Sequence, residues 1–131
     1  MTRRRPVIAR ALGIAIALAA APVGAAAAAP ATLYGMIGQI IVKPGQRAVL
    51  ARILLDGTDA MPGCLSYVVA EDPGNPDALW VTEVWTDKAS HDASLALPRV
   101  QAAVAKGRPL IISFGTSVVT TPLGGTGLGR R

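Results

Sequence analysis

One cysteine, one histidine and five aromatic side chains in 131 residues exclude several kinds of protein at once. The lone thiol, Cys64, closes no intrachain disulfide, so stability has to come from packing and self-association. A buried free thiol is the ordinary state for such a residue, with an intermolecular disulfide as the alternative. One His and one Cys cannot build a His/Cys zinc site, so no metal centre is expected. No segment repeats at a period of about twenty to fifty residues, which removes solenoids and propellers. Acids are also scarce, eight against thirteen Lys and Arg.

That basic surplus is local. Arg3, Arg4, Arg5 and Arg10 precede an uncharged, Ala-rich run from Ala11 to Ala29, broken at Pro22-Val23-Gly24 and rich in small-x-small cleavage options. A basic n-region, an apolar stretch and small residues are what a signal peptidase reads, so residues 1–27 are taken as an export signal. An uncleaved membrane anchor is the alternative, although alanine is weakly apolar and prolines interrupt the run. Arg3-Arg4-Arg5-Pro6-Val7-Ile8 suits a twin-arginine signal and a general secretory one equally, and the route stays open. Without the signal, nine basic residues face eight acids, a net charge of about +1. No basic run remains to follow a phosphate backbone, so nucleic acid is not an expected partner, nor is a membrane after cleavage.

About one hundred residues suffice for one core. The domain is placed at residues 31–120, followed by a Gly-rich C-terminal tail at 121–131. Leu33 to Val42 reads as a strand closed by Lys43-Pro44-Gly45. A helix is expected from Gln46 to about Ala60, with Leu50, Ile53, Leu54 and Met61 on one side and Arg52, Asp56 and Asp59 on the other. Cys64 to Glu71 is a second strand, and Asp72-Pro73-Gly74-Asn75-Pro76-Asp77 is a hairpin turn. The third strand, Ala78 to Thr86, places Trp80 and Trp85 on opposite faces of the sheet. Asp87 is a helix N-cap for a segment reaching about Leu97, whose Ala89, Ala93, Ala96 and Val100 stripe is expected to lie close to the sheet. Pro98 should kink or restart that helix, Gly107 and Pro109 should end it, and Leu110 to about Thr120 is the last strand.

Strand, helix, strand, strand, helix, strand is an α+β, ferredoxin-like βαββαβ order, an antiparallel sheet with its helices on one face. The other face carries Val, Ile and Trp without cover, a larger apolar patch than a soluble monomer usually shows, and a homodimer is the expected solution.

The strings Ile40-Ile41-Val42-Lys43-Pro44-Gly45, Pro62-Gly63-Cys64 and Glu83-Val84-Trp85-Thr86-Asp87-Lys88-Ala89, the last followed by His91 and Ser94, resemble the antibiotic biosynthesis monooxygenase (ABM) domain. Pro109-Leu110-Ile111 and Pro122-Leu123-Gly124-Gly125 extend the likeness toward the branch described as quinol monooxygenases. The resemblance implies a dimeric α/β barrel and oxygenation of phenols, quinols or polyketide aromatics by dioxygen, with no metal or flavin cofactor. Ser94 stands where many members carry a histidine, and the only histidine, His91, lies three residues earlier on the same helix face.

Such chemistry needs a substrate made anionic, because a phenolate gives an electron to dioxygen far more readily than a neutral phenol. His91 is the side chain with a reference pKa near neutrality, about 6.5, and is the expected catalytic base. Its bland alternative is a solvated residue near a helix start. Trp85 would stack on an aromatic substrate or simply pack in the core. Gln39 and Ser94 would hold a quinol oxygen, and Glu83 would serve as substrate contact, alternative base or ion-pair partner of Arg47, Arg52 or Arg99. Two other functions fit the same fold: haem binding or degradation with His91 as axial ligand, and non-catalytic sequestration of a small aromatic by a dimer.

Overall fold

The computed structural model describes residues 32–128; the export signal read at 1–27 and residues 129–131 lie outside the described part. The elements are β1 (Tyr34–Val42), α1 (Arg47–Gly57), β2 (Cys64–Glu71), β3 (Ala78–Trp85), α2 (Lys88–Ser94), α3 (Pro98–Gly107) and β4 (Ile111–Thr120), with one 3₁₀ turn at Arg108–Leu110 before β4. All strand pairs are antiparallel and the sheet order is β2-β3-β1-β4. This is the ferredoxin-like βαββαβ fold, with the second helix broken in two.

The break follows from proline. Leu97 sits in the extended region, the conformation favoured before a proline, and Pro98 opens α3 from its first turn, where its missing N–H costs nothing. The helix expected to run to Leu97 therefore stops at Ser94. Its alanine stripe is a correction: Ala89, Ala93 and Ala96 are exposed, whereas His91, Ser94 and Leu97 turn inward. The cap sets that rotation. Asp87 is extended and its carboxylate accepts the Ser90 backbone N–H at 2.7 Å, which fixes where the first turn points. In α1 the helix ends at Gly57 rather than Ala60, where the backbone passes through φ 54°. A side chain at Gly57 would collide with the methyl of Ala103, so the glycine lets α1 and α3 touch.

Paired residues share a face of the sheet, so the register divides the side chains into rows. The row Val68, Thr82, Ile37, Val118 runs across all four strands on the face away from the helices, with Ile37, Val68 and Val118 exposed. On the helix side, Leu79 and Val42 pack with Leu50 of α1 into a fully buried aliphatic cluster. A second cluster on the same side holds Met61, Trp85 and Val100, edged by Tyr34, Cys64, Tyr67 and Leu97.

Candidate active site

Two adjacent rows on the helix side build the floor of the site. One is Cys64, Trp85 and Tyr34; the next is Tyr67, Glu83, Met36 and Val119. Alternation along β3 places Glu83 and Trp85 two residues apart on one face, close enough for Trp85 Nε1 to donate to Glu83 Oε2 at 2.8 Å. Above this floor α2 lowers His91. The ring stacks at a tilt against Tyr34 (centroids 5.1 Å apart) and meets the Trp85 ring edge-on (5.5 Å, 88°). His91 Nε2 lies 3.9 Å from Glu83 Oε2, with the two side chains only 12% and 13% exposed. Its Nδ1 lies 3.0 Å from Asp92 Oδ1.

Between floor and helices is a hollow of about 150 Å³, bordered by Met36, Tyr67, Glu83, Trp85, His91 and Ser94 and closed by aliphatic side chains of α1 and α3. An apolar cavity of about this size holds a benzene ring. A neighbouring recess of about 220 Å³ shares Met36, Tyr67 and Glu83 and continues toward Gly38, Phe114 and Ser117. Glu83 thus faces both spaces, and β4 borders the second.

Of the residues expected from sequence, the structure gathers His91, Trp85, Glu83 and Ser94 at the hollow. Ser94 is buried and its hydroxyl donates to the His91 carbonyl at 2.7 Å, so the oxygen it turns to the hollow can only accept. Gln39 is not at this hollow but borders the neighbouring recess. It pairs with Trp80 on the far face of the sheet, where its Nε2 donates to Asp72 Oδ2 at 2.7 Å and Trp80 Nε1 donates to the same oxygen at 2.9 Å. The Gly74 N–H first, and then the Gln39 and Trp80 bonds, hold the Asp72 carboxyl below the usual carboxylate range and pin the β2–β3 turn.

Tyr67 was not anticipated. It sits opposite Glu83 and borders both spaces. Burial first, then the negative charges of Glu83 and Cys64, push its ionisation far upward, so it stays a neutral hydroxyl and a potential donor to an anion. The register slips by one between Cys64 and Ser66. Counting evenly from the Cys64–Trp85 pair would put Ser66 opposite Glu83; the bulge substitutes Tyr67. Cys64 is half-buried, its thiol raised by burial and then by Glu83, with Sγ donating to the Ser66 carbonyl at 3.5 Å. Among the described residues, no three His, Cys, Asp or Glu side chains converge as a metal site, and no helix is long and apolar enough to cross a membrane.

A four-stranded antiparallel sheet with its helices on one face, and a hollow between them walled by imidazole, carboxylate and aromatic groups, is an α+β domain of the ferredoxin-like class. The family model for antibiotic biosynthesis monooxygenase matches residues 33–106, and the chain belongs to that family. It is similar to a crystal structure from Chloroflexus aurantiacus J-10-fl assigned to the same monooxygenases, at 55% identity over 75% of this chain and 100% of that one, with a TM-score of 0.73. Structures from Nitrosomonas europaea (11% identity, 71% of this chain and 92% of that one, TM-score 0.66) and Caulobacter crescentus CB15 (20%, 70% and 88%, 0.59) share the fold. No curated protein matches the chain significantly.

Proposed function

We propose that the exported mature protein is a cofactor-independent monooxygenase that oxidises a quinol or polyhydroxylated aromatic with dioxygen. The observation that carries this reading is an imidazole nitrogen facing a ring-sized apolar hollow. The reaction balances without an external reductant: quinol plus dioxygen gives hydroxyquinone plus water, one oxygen atom entering the ring and all four electrons coming from the substrate. His91 Nε2 takes the proton of a quinol hydroxyl. Glu83, held by the Trp85 N–H, stabilises the imidazolium that results. The neutral Tyr67 hydroxyl donates to the phenolate oxygen. The apolar walls then let the anion pass an electron to dioxygen without competing water.

The exposed Val68–Thr82–Ile37–Val118 row supports a homodimer that covers this face with a second copy. A hollow of about 150 Å³ suits a single aromatic ring better than the four-ring macrocycle of haem.

The test is oxygen uptake by the mature protein with a panel of quinols, measured against the autoxidation blank. The expected result is enzyme-dependent uptake with one water formed per dioxygen, and a loss of about 10²- to 10⁴-fold in His91→Ala, the range a positioned base supplies. Uptake equal to the blank across the panel ends the oxygenase reading. A Soret band formed on adding hemin and lost in His91→Ala would replace it with haem binding.

A further inference from the structure

The base of the proposed reaction has two nitrogens, each facing a carboxylate, and only one arrangement leaves the hollow-facing nitrogen free to accept a proton. Nδ1 lies 3.0 Å from Asp92 Oδ1, within hydrogen-bond reach; Nε2 lies 3.9 Å from Glu83 Oε2, beyond it. Asp92 is in turn tied by its other oxygen, Oδ2, to Lys88 Nζ at 2.6 Å, one helical turn back. The Lys88 bond first, and the His91 bond after it, hold the Asp92 carboxyl below the usual carboxylate range. At neutral pH Asp92 is therefore an anion and can only accept.

We infer that Asp92 is a positioning residue that fixes the hydrogen of the neutral His91 ring on Nδ1 and so leaves the Nε2 lone pair facing the hollow. Without that anchor the other carboxylate beside the ring is Glu83, and an Nε2–H aimed at Glu83 is a blocked base. The two carboxylates pull the tautomer in opposite directions, and the shorter contact wins. The ring has little freedom to escape the choice: Tyr34 and Trp85 hold its plane, and turning it over would set a ring carbon against Asp92. Adjacent helix residues ordinarily point apart, but Nδ1 is the ring nitrogen nearer the main chain, and the short Asp92 side chain reaches it from the solvent side, where it is 51% exposed. Lys88 keeps it there. The pair belongs to the surface, yet it decides the state of a nitrogen inside.

This inference rests on His91 acting as the base, and the test separates the two. The chain has one histidine, so long-range ¹H–¹⁵N spectra of imidazole-labelled mature protein report this ring without assignment. At a pH where the ring is neutral, the expected spectrum is that of the Nδ1–H tautomer. Asp92→Ala should shift it toward Nε2–H and lower kcat on an active quinol about ten-fold, a fraction of what the base itself supplies, with KM little changed. Asp92→Asn, which keeps an acceptor oxygen but not the charge, should fall between the two in both measurements. An Nε2–H tautomer in the unmodified protein overturns the inference outright. So does an Asp92→Ala protein that loses rate while keeping the Nδ1–H tautomer, because the loss would then be structural. The expected tautomer in a protein that turns over no quinol upholds what Asp92 does to the ring and overturns the oxygenase reading instead.

Discussion

The helix-facing side of the sheet has two ends made by the same strands, one packed by Leu50 of α1 and the other by Val100 of α3, and they differ in kind. At the Leu79 end, Val42, Leu50 and Leu79 are fully buried and aliphatic. At the Trp85 end, six residues along β3, Trp85 is just as buried at 1% exposure, but it lies among Tyr34, Cys64, Tyr67 and His91 beside an unfilled hollow. The change happens between Val81 and Glu83 on consecutive inward positions of one strand. One end is a buried aliphatic cluster that makes the fold; at the other, polar and aromatic groups converge on the hollow. Stability and chemistry are thus separated along a single strand, and substitutions at the two ends should fail differently.

The largest effect should come from the aliphatic end. Leu79→Ala removes a fully buried side chain and is expected to cost about 2–5 kcal/mol in denaturant unfolding. Turnover per folded molecule should hold; a collapse of kcat in protein shown to be folded would erase the distinction between the two ends. Trp85→Phe at the other end keeps most of the ring but deletes the N–H that serves Glu83. Leaving that carboxylate oxygen without its donor should cost about 1–3 kcal/mol of stability, and here kcat should fall as well because Glu83 is no longer held.

A smaller effect should follow Asp87→Ala, which removes the cap that aims His91. The melting temperature should drop by a few degrees, with a clear loss of activity. Its pH dependence has a definite sign. Bonds from the Ser90 backbone N–H and then the Ser90 hydroxyl hold the Asp87 carboxyl below the ordinary range. A depressed folded pKa gives stability that is complete above the unfolded value of about 3.9 and is lost as pH falls through the folded value. Melting curves of the two proteins should therefore stay apart at pH 5–7 and converge toward pH 2. The smallest effect concerns Cys64. With its thiol pushed upward by burial and by Glu83, alkylation at pH 8 should be slower than that of free cysteine and modestly faster in Glu83→Gln.

The element order was legible because turn chemistry punctuates it: Lys43-Pro44-Gly45, the 72–77 turn and Pro98 each fall at an element boundary. Trp80 and Trp85 do face opposite ways, since alternation needs only the strand itself. What could not be read required knowledge of neighbours. Gln39 borders the recess beside the hollow, but that its amide is engaged with Asp72, next to Trp80, depends on strand pairing no single segment shows. Tyr67 was hidden by a one-residue bulge. The alanine stripe of α2 was sound periodicity with the wrong rotation, because a seven-residue helix takes its phase from the Asp87 cap rather than from three methyl groups. The spacing of Lys88 and Asp92 marks an ordinary surface pair, and no pattern shows the contact of Asp92 with the ring next to it.

Gly35, second residue of β1, lies opposite Thr120, and the space a side chain would take there is claimed by the Thr120 hydroxyl and the ring of Pro122. The chain leaving β4 is thereby steered back over the start of β1 on the face that bears the Ile37 row. One corner of that surface is thus roofed by Pro122, and a bulky residue at position 35 would have to lift that roof.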